Sequence, residues 1–131
     1  MNSYAYLIMR LAVAASMFGH GLVRLPKLSA FSGWMVDSFK DSLLPQILVT
    51  PFSYVLPVAE FTIGLLLLLG LFTRQAAIAG GFTMMLLIFG SCLTEHWDFV
   101  PSQLLHVAFF TLVLQFIATN SFALDRRIKP E

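Results

Sequence analysis

Residues 61–93 read FTIGLLLLLGLFTRQAAIAGGFTMMLLIFGSCL and contain a single charged side chain, Arg74. A helix needs about 20 mostly apolar residues to cross the hydrocarbon of a bilayer. The stretch holds most of two such crossings, divided by Thr73, Arg74 and Gln75. Read backward, the first apolar run continues to about residue 53 and takes in Glu60. The pattern predicts a tight helical hairpin inside a membrane, with spans over residues 53–72 and 76–93.

Composition carries the same message over the whole chain. Of 131 residues, 58% are hydrophobic and 11% charged, and mean hydropathy is +0.82. A water-soluble domain of this size carries about twice that charge, so the expectation is one small integral membrane domain over residues 1–131. A net charge of +1 supplies no basic surface for nucleic acid. Cys92 is the only cysteine, which argues against an internal disulfide or thiol exchange by this chain alone. It reads as a small apolar filler. No basic residue precedes Arg10, so the first span is expected to be retained rather than cleaved as a leader.

Two more stretches qualify as spans, residues 4–25 and 101–119, and Pro101 suits the first turn of a helix. The predicted fold is all-α, a four-helix transmembrane bundle running up-down-up-down. In the connection over residues 26–52, Phe31, Trp34, Met35 and Phe39 recur at helical spacing, with Gly33, Asp37 and Lys40 opposite. That pattern predicts a short amphipathic helix at the membrane interface. Pro45, Pro51 and Pro57 are expected to break the chain before the second span. Arg10, Arg74, Arg126, Arg127 and Lys129 gather toward one side, and Arg24, Lys27 and Lys40 toward the other. The bias favours both termini in the cytoplasm.

Ionisable groups inside spans are costly, and they mark cavities or functional paths. At the α-helical rise, His20, Glu60 and His106 each lie ~8–10 Å inside the outer ends of their spans. His20, Arg24 and Lys27 fall within an arc of about 60° at 100° per residue. We assign these positions to one pocket near the non-cytoplasmic surface. His20, Glu60 and His106 are its candidate catalytic residues, and Gly21, Arg24, Lys27, Gly64 and Trp34 its ligand-binding residues. Gly21 and Gly64 would permit close approach of a helix or a flat ligand, and the aromatic segment around Trp34 would cover the mouth.

Each residue has a plainer role available. Arg24 and Lys27 can snorkel to headgroups, Glu60 can offset a helix N-terminus near Pro57, and His106 can bond a carbonyl. Arg10 reads as a separate structural pair or inner gate, with Gln115 as a hydrogen-bonding candidate. Glu95 and His96, just past the third span, could cap the pocket from above, but read in preference as surface residues.

The segment from Leu11 to Leu28, with His20-Gly21 and basic residues after it, resembles the first span of the DoxX family of small bacterial membrane proteins. EFTIGLLLLLGLFTRQAA, Glu60 to Ala77, resembles the family's second signature. The resemblance implies a four-helix bundle in the bacterial cytoplasmic membrane. It also implies association with redox complexes, since relatives include the small subunit of an archaeal thiosulfate:quinone oxidoreductase.

Three functional readings stay open. The first is a redox-associated subunit that binds a quinone-like or other small apolar ligand. Glu60 would exchange a proton, His20 or His106 would donate to a carbonyl, and Arg24 would stabilise negative charge. Electrons would come from a redox protein partner. The second is haem ligated by His20 and His106, or zinc held by His20, Glu60 and His106. The third is a non-enzymatic accessory subunit, in a complex or a homo-oligomer, whose polar cluster locks helix packing.

Overall fold

The structure, a computed structural model, describes residues 1–128; Lys129 lies outside the described residues. All regular structure is helical: α1 (Ser3–Arg24), α2 (Leu28–Phe39), α3 (Gln46–Leu69), α4 (Thr73–Leu93), α5 (Val100–Gln115) and a single turn, α6 (Asp125–Ile128). Short 3-10 turns at Leu25–Lys27, Trp97–Phe99 and Ile117–Thr119 fill three of the joints. Four helical stretches are long and apolar enough to cross a membrane, the first being α1 continued through α2.

Asn2 caps α1 by accepting the Tyr4 N–H at 2.8 Å. The helix ends where Pro26 removes a donor. At Lys27 the backbone leaves the helical region (φ −132°, ψ 43°) before α2 begins. The apolar face of α2 turns inward, with Met35 and Ser32 buried against α3. There, Ser53 gives its hydroxyl proton to the Thr50 carbonyl at 2.6 Å, so Ser32 donates to Ser53 Oγ at 2.6 Å.

The start of the second span corrects the expectation of a broken segment. α3 begins at Gln46 and runs without interruption through Pro51 and Pro57. Each proline deletes one rung of the helical ladder, but neighbouring helices and hydroxyls tolerate this inside a membrane bundle. Glu60 therefore lies mid-helix, and the idea that it offsets a nearby N-terminus does not hold. The hairpin turn also shifts. Gly70 ends α3 in the left-handed conformation (φ +66°), and Leu71 N–H returns to the Leu66 carbonyl at 2.9 Å, the pattern of a glycine-capped helix end. Thr73, Arg74 and Gln75 form the first turn of α4 instead.

α1 and α3 pack in opposite directions. Arg24 meets Glu60, Gly21 lies on Phe61, Gly64 lies on Phe18, and Arg10 reaches Gly70. A Cβ on Gly21 would come within 2.4 Å of the Phe61 nitrogen, and one on Gly64 within 2.3 Å of the Phe18 nitrogen. Both obstacles are backbone. α4 and α5 pair similarly, with Ser91 meeting Gln103 and Gly80 seated on the Phe110 ring. Tyr6, Met17, Ile63, Leu67, Met84 and Phe110 form part of the shared core.

The chain after α5 closes the far end of the bundle. Asp125 accepts the Phe72 and Thr73 amides at 2.7 and 2.9 Å. Those are free N–H groups at the start of α4 that a carboxylate suits. Burial pushes the Asp125 carboxyl up, yet the bonds from Thr73 and Phe72 and the charge of Arg10 outweigh it and hold the group below its ordinary range.

Two outcomes are expected. Gly21→Ala or Gly64→Ala forces α1 and α3 apart and costs at least ~2 kcal/mol. Gly19→Ala, with nothing within 4 Å of its Cβ, leaves thermal unfolding in detergent unchanged. At the other end, a depressed carboxyl contributes stability above its unfolded value near 3.8 and loses it as pH falls through the lower folded value. Hydrogen exchange at Phe72 and Thr73, relative to the intrinsic rate at each pH, should stay slow at neutral pH and accelerate only below about pH 4. Asp125→Asn should raise it about tenfold at neutral pH.

Candidate functional site

Ser16, His20 and Arg24 follow one another at four-residue spacing and share a face near the end of α1. Glu60 comes from the middle of α3. Although only 2% exposed, its carboxylate accepts Arg24 Nη1 at both oxygens, at 2.7 and 2.8 Å. A buried carboxylate is tolerable where a cation and hydrogen bonds compensate it. The Arg24 guanidinium also lies over the Phe31 ring of α2, 4.5 Å from the centroid. Arg24 Nη2 and Nε make no hydrogen bond among the described residues.

The two histidines occupy matched local settings. His20 Nδ1 is 2.7 Å from the Ser16 carbonyl, and His106 Nδ1 is 2.7 Å from the Ser102 carbonyl. Since a carbonyl only accepts, each Nδ1 carries a proton, and in a neutral ring each Nε2 is an acceptor. The His106 acceptor is occupied, because Ser16 Oγ lies 2.7 Å from it and supplies the hydroxyl proton. His20 Nε2 has no partner among the described residues. The rings stand edge to face, 6.2 Å between centroids.

His20, Arg24, Phe31, Glu60 and His106 line a cavity of about 610 Å³ bounded by α1 to α5. Most of the lining is apolar or aromatic, including Met35, Phe52, Leu56 and Phe99. Phe31 and Trp34 stack at 6.0 Å, and Trp34 is 51% exposed. Further polar groups come from α4, α5 and the turn between them. Ser91 is bonded to Gln103 Nε2 at 2.9 Å, and His96 to Thr94 Oγ1 at 2.9 Å.

The structure thus brings His20, Glu60, His106, Arg24 and Trp34 to one cavity, and leaves three expected residues out of it. Gly21 and Gly64 sit in the α1–α3 contact and admit a helix, not a ligand. Lys27 is exposed and does not line the cavity. Among the polar lining residues, Ser38, Ser91, Thr94, Asp98, Ser102 and Gln103 were not singled out from the sequence, and His96, read as surface in preference to a cap, belongs to the lining. Ser16, which binds His106, was also missed. The spacing S-x-x-x-H, present at Ser16–His20 and again at Ser102–His106, is the signal that finds both serines.

Arg10 belongs elsewhere. Only 2% exposed, it donates to Asn120 Oδ1 at 2.5 Å and the Phe122 carbonyl at 2.9 Å. Gln115 is exposed and is not its partner. Haem ligation by the pair would use Nε2 of each ring and would displace the Ser16 hydroxyl from His106, while the Nδ1 bonds to carbonyls could stay. No group of three His, Cys, Asp or Glu side chains able to hold a metal ion occurs among the described residues.

A membrane domain of four apolar helices around an apolar cavity with an ion pair in its wall is the class these features define. A family model described as DoxX matches residues 5–93, and the chain belongs to that family. The match spans α1 to α4 and so includes Arg24 and Glu60, while α5, with Gln103 and His106, lies beyond it. No significant match was found among curated proteins or among solved structures.

Breaking the ion pair on one side leaves a buried charge without its counter-ion. Arg24→Leu alone should destabilise the folded protein by about 3–5 kcal/mol. The double variant Arg24→Leu, Glu60→Leu should recover more than half of that loss, as read by thermal unfolding.

Proposed function

We propose that the protein is a redox-associated subunit of the bacterial cytoplasmic membrane that binds a small aromatic, quinone-like ligand in this cavity. The cavity opens toward the extracytoplasmic side, and both termini face the cytoplasm. The observation that carries the reading is the meeting of aromatic walls with a guanidinium whose Nη2 and Nε are uncommitted. An apolar pocket with a few convergent polar groups is the usual form of a small-molecule site. The volume of about 610 Å³ accommodates a substituted six-membered ring and the start of an apolar tail.

Arg24 donates to a ring oxygen and stabilises negative charge as it develops there. Glu60 fixes the guanidinium and compensates its charge. Phe31 and Trp34 cover the ring from the side of α2. His106 is held by Ser16 and serves to fix α1 against α5, rather than to touch the ligand. The chain carries no electron-carrier motif, so electrons pass through a redox protein partner.

One observation favours a second reading. Arg24–Glu60 ties α1 to α3, and Ser16–His106 ties α1 to α5. Such ties would also suit an accessory subunit, alone or in a homo-oligomer, whose polar residues serve assembly only.

Titration of the purified protein with a short-chain benzoquinone, followed by Trp34 fluorescence, separates the two. A ligand subunit gives saturable quenching that Trp34→Phe removes. In Arg24→Gln that remains folded, affinity falls at least tenfold, the scale of one charged hydrogen bond. Absence of saturable binding to folded wild-type protein overturns the ligand reading and leaves the accessory one.

A further inference from the structure

The polarity of the hydrogen bonds in the cavity wall selects an oxidation state of the ligand. Resting on the ligand reading above, we propose that the site prefers an aromatic hydroxyl, the hydroquinone or phenol class, over the fully oxidised carbonyl form. His20 Nε2 is the group that makes the choice.

Nδ1 of His20 is bound to a carbonyl of its own helix, 2.7 Å away, so that nitrogen holds the proton of the neutral ring. His20 is among the residues that line the cavity, and its other ring nitrogen, Nε2, presents a lone pair. Its counterpart on His106 is occupied by the Ser16 hydroxyl. Of the facing pair His20 and His106, only His20 therefore asks anything of a ligand, and it asks for a donor. His96, the third imidazole of the lining, sits on the turn between α4 and α5, bonded through Nδ1 to Thr94. Arg24, one helical turn further along α1 and also in the lining, has Nη2 and Nε uncommitted, and these ask for an acceptor.

A hydroxyl meets both demands, because its oxygen accepts while its proton donates. A quinone carbonyl meets one. It can accept from Arg24, but opposite His20 it sets lone pair against lone pair. His20 is exposed in the free protein, and a ligand seated against it shuts Nε2 off from water. An acceptor covered in that way without a donor is more damaging than a hydrogen bond lost from both partners. The resulting preference is about tenfold or more in affinity. Sites built around such bonds discriminate more sharply than apolar walls of the same shape.

The contrast between the histidines is set by α1 itself. Ser16 supplies its carbonyl to His20 and its hydroxyl to His106. The same residue thus closes the acceptor on α5 and orients the one on α1. Ser102 holds His106 through its carbonyl, but its hydroxyl makes no hydrogen bond among the described residues.

The test uses the full chain in detergent at pH 8, under anaerobic conditions, with trimethylhydroquinone and trimethyl-1,4-benzoquinone as a matched pair. Calorimetric titration should give the hydroquinone an affinity at least tenfold above that of the quinone. In His20→Phe, which keeps a ring of similar size, the ratio should fall to near one, with quinone affinity rising as the unpaired acceptor is removed. Nitrogen-15 spectra of labelled histidine in the wild-type protein should show the His20 Nε2 signal move when hydroquinone is added. The His106 signals should stay in place. Equal or tighter binding of the quinone overturns the proposal and leaves the ligand reading standing, as does a preference that survives His20→Phe or a His20 signal that stays still. Binding of neither compound overturns both.

Discussion

A carboxylate at the centre of an apolar bundle is tolerable only where something pins it, and the Arg24–Glu60 pair is the constraint to which the surrounding structure is fitted. Arg24 must stay within hydrogen-bond reach of Glu60, so α1 and α3 share a fixed register. One turn from each partner of the pair lies a glycine, Gly21 on α1 and Gly64 on α3, and there the helices touch backbone to backbone. Close approach and ion pair support each other. Side chains at either glycine would move the guanidinium away from the carboxylate, and loss of the carboxylate would leave a half-buried cation without its partner. The third contact of Arg24, with Phe31, extends the same register to α2. The wall and roof of the cavity are in this way attached to one salt bridge.

Arg10 solves the opposite problem with different chemistry. It lies fourteen residues before Arg24, about 21 Å along the helix, and no carboxylate within salt-bridge distance meets it among the described residues. Its charge is spread over the Asn120 amide and a backbone carbonyl. Both belong to the segment that follows α5. Asn120 in turn donates to Thr73 at 3.2 Å, and Asp125 caps the helix that Thr73 begins. A cation without an acid partner thus organises the closed end of the bundle, and a cation with one organises the open end. The two arginines of α1 look alike in sequence and do unrelated work, because one faces an element that offers carbonyls and the other an element that offers a carboxylate.

Hydropathy made the four long helices legible, and the cost of burying charge made His20, Glu60 and His106 legible as a level within them. Depth along a helix survives small errors in helix boundaries, which is why that inference was robust. Angular position does not survive them. The arc that grouped Lys27 with His20 and Arg24 extends a regular helix across Pro26, and the helix ends there; the 3-10 turn swings Lys27 away. Prolines misled in the reverse direction. Pro51 and Pro57 look like breakers in a reading based on water-soluble chains, yet α3 absorbs both, because packed neighbours replace what the ladder loses. The turn at Gly70 was misplaced for a further reason. The polar triplet Thr73-Arg74-Gln75 looks like a loop, and only the distant Asp125 makes it the capped start of a helix. Long-range partners of this kind leave no local mark.

The histidines show how far a local pattern can carry chemistry once the helix is known. Each is fixed by the carbonyl one turn before it, a contact that any helical histidine of suitable rotamer can make. By itself it says only which nitrogen holds a proton. What differs between His20 and His106 is the neighbour across the bundle, and the neighbour is the same serine that fixed His20. Identical spacing on two helices therefore gives one saturated imidazole and one unsaturated one, as a consequence of packing alone. Had Ser16 been alanine, the two rings would present equal acceptors and the wall would lose its asymmetry. The packing of α1 against α5 brings Ser16 opposite His106, and that contact, two turns of helix from the ion pair, sets which of the two rings keeps a free acceptor.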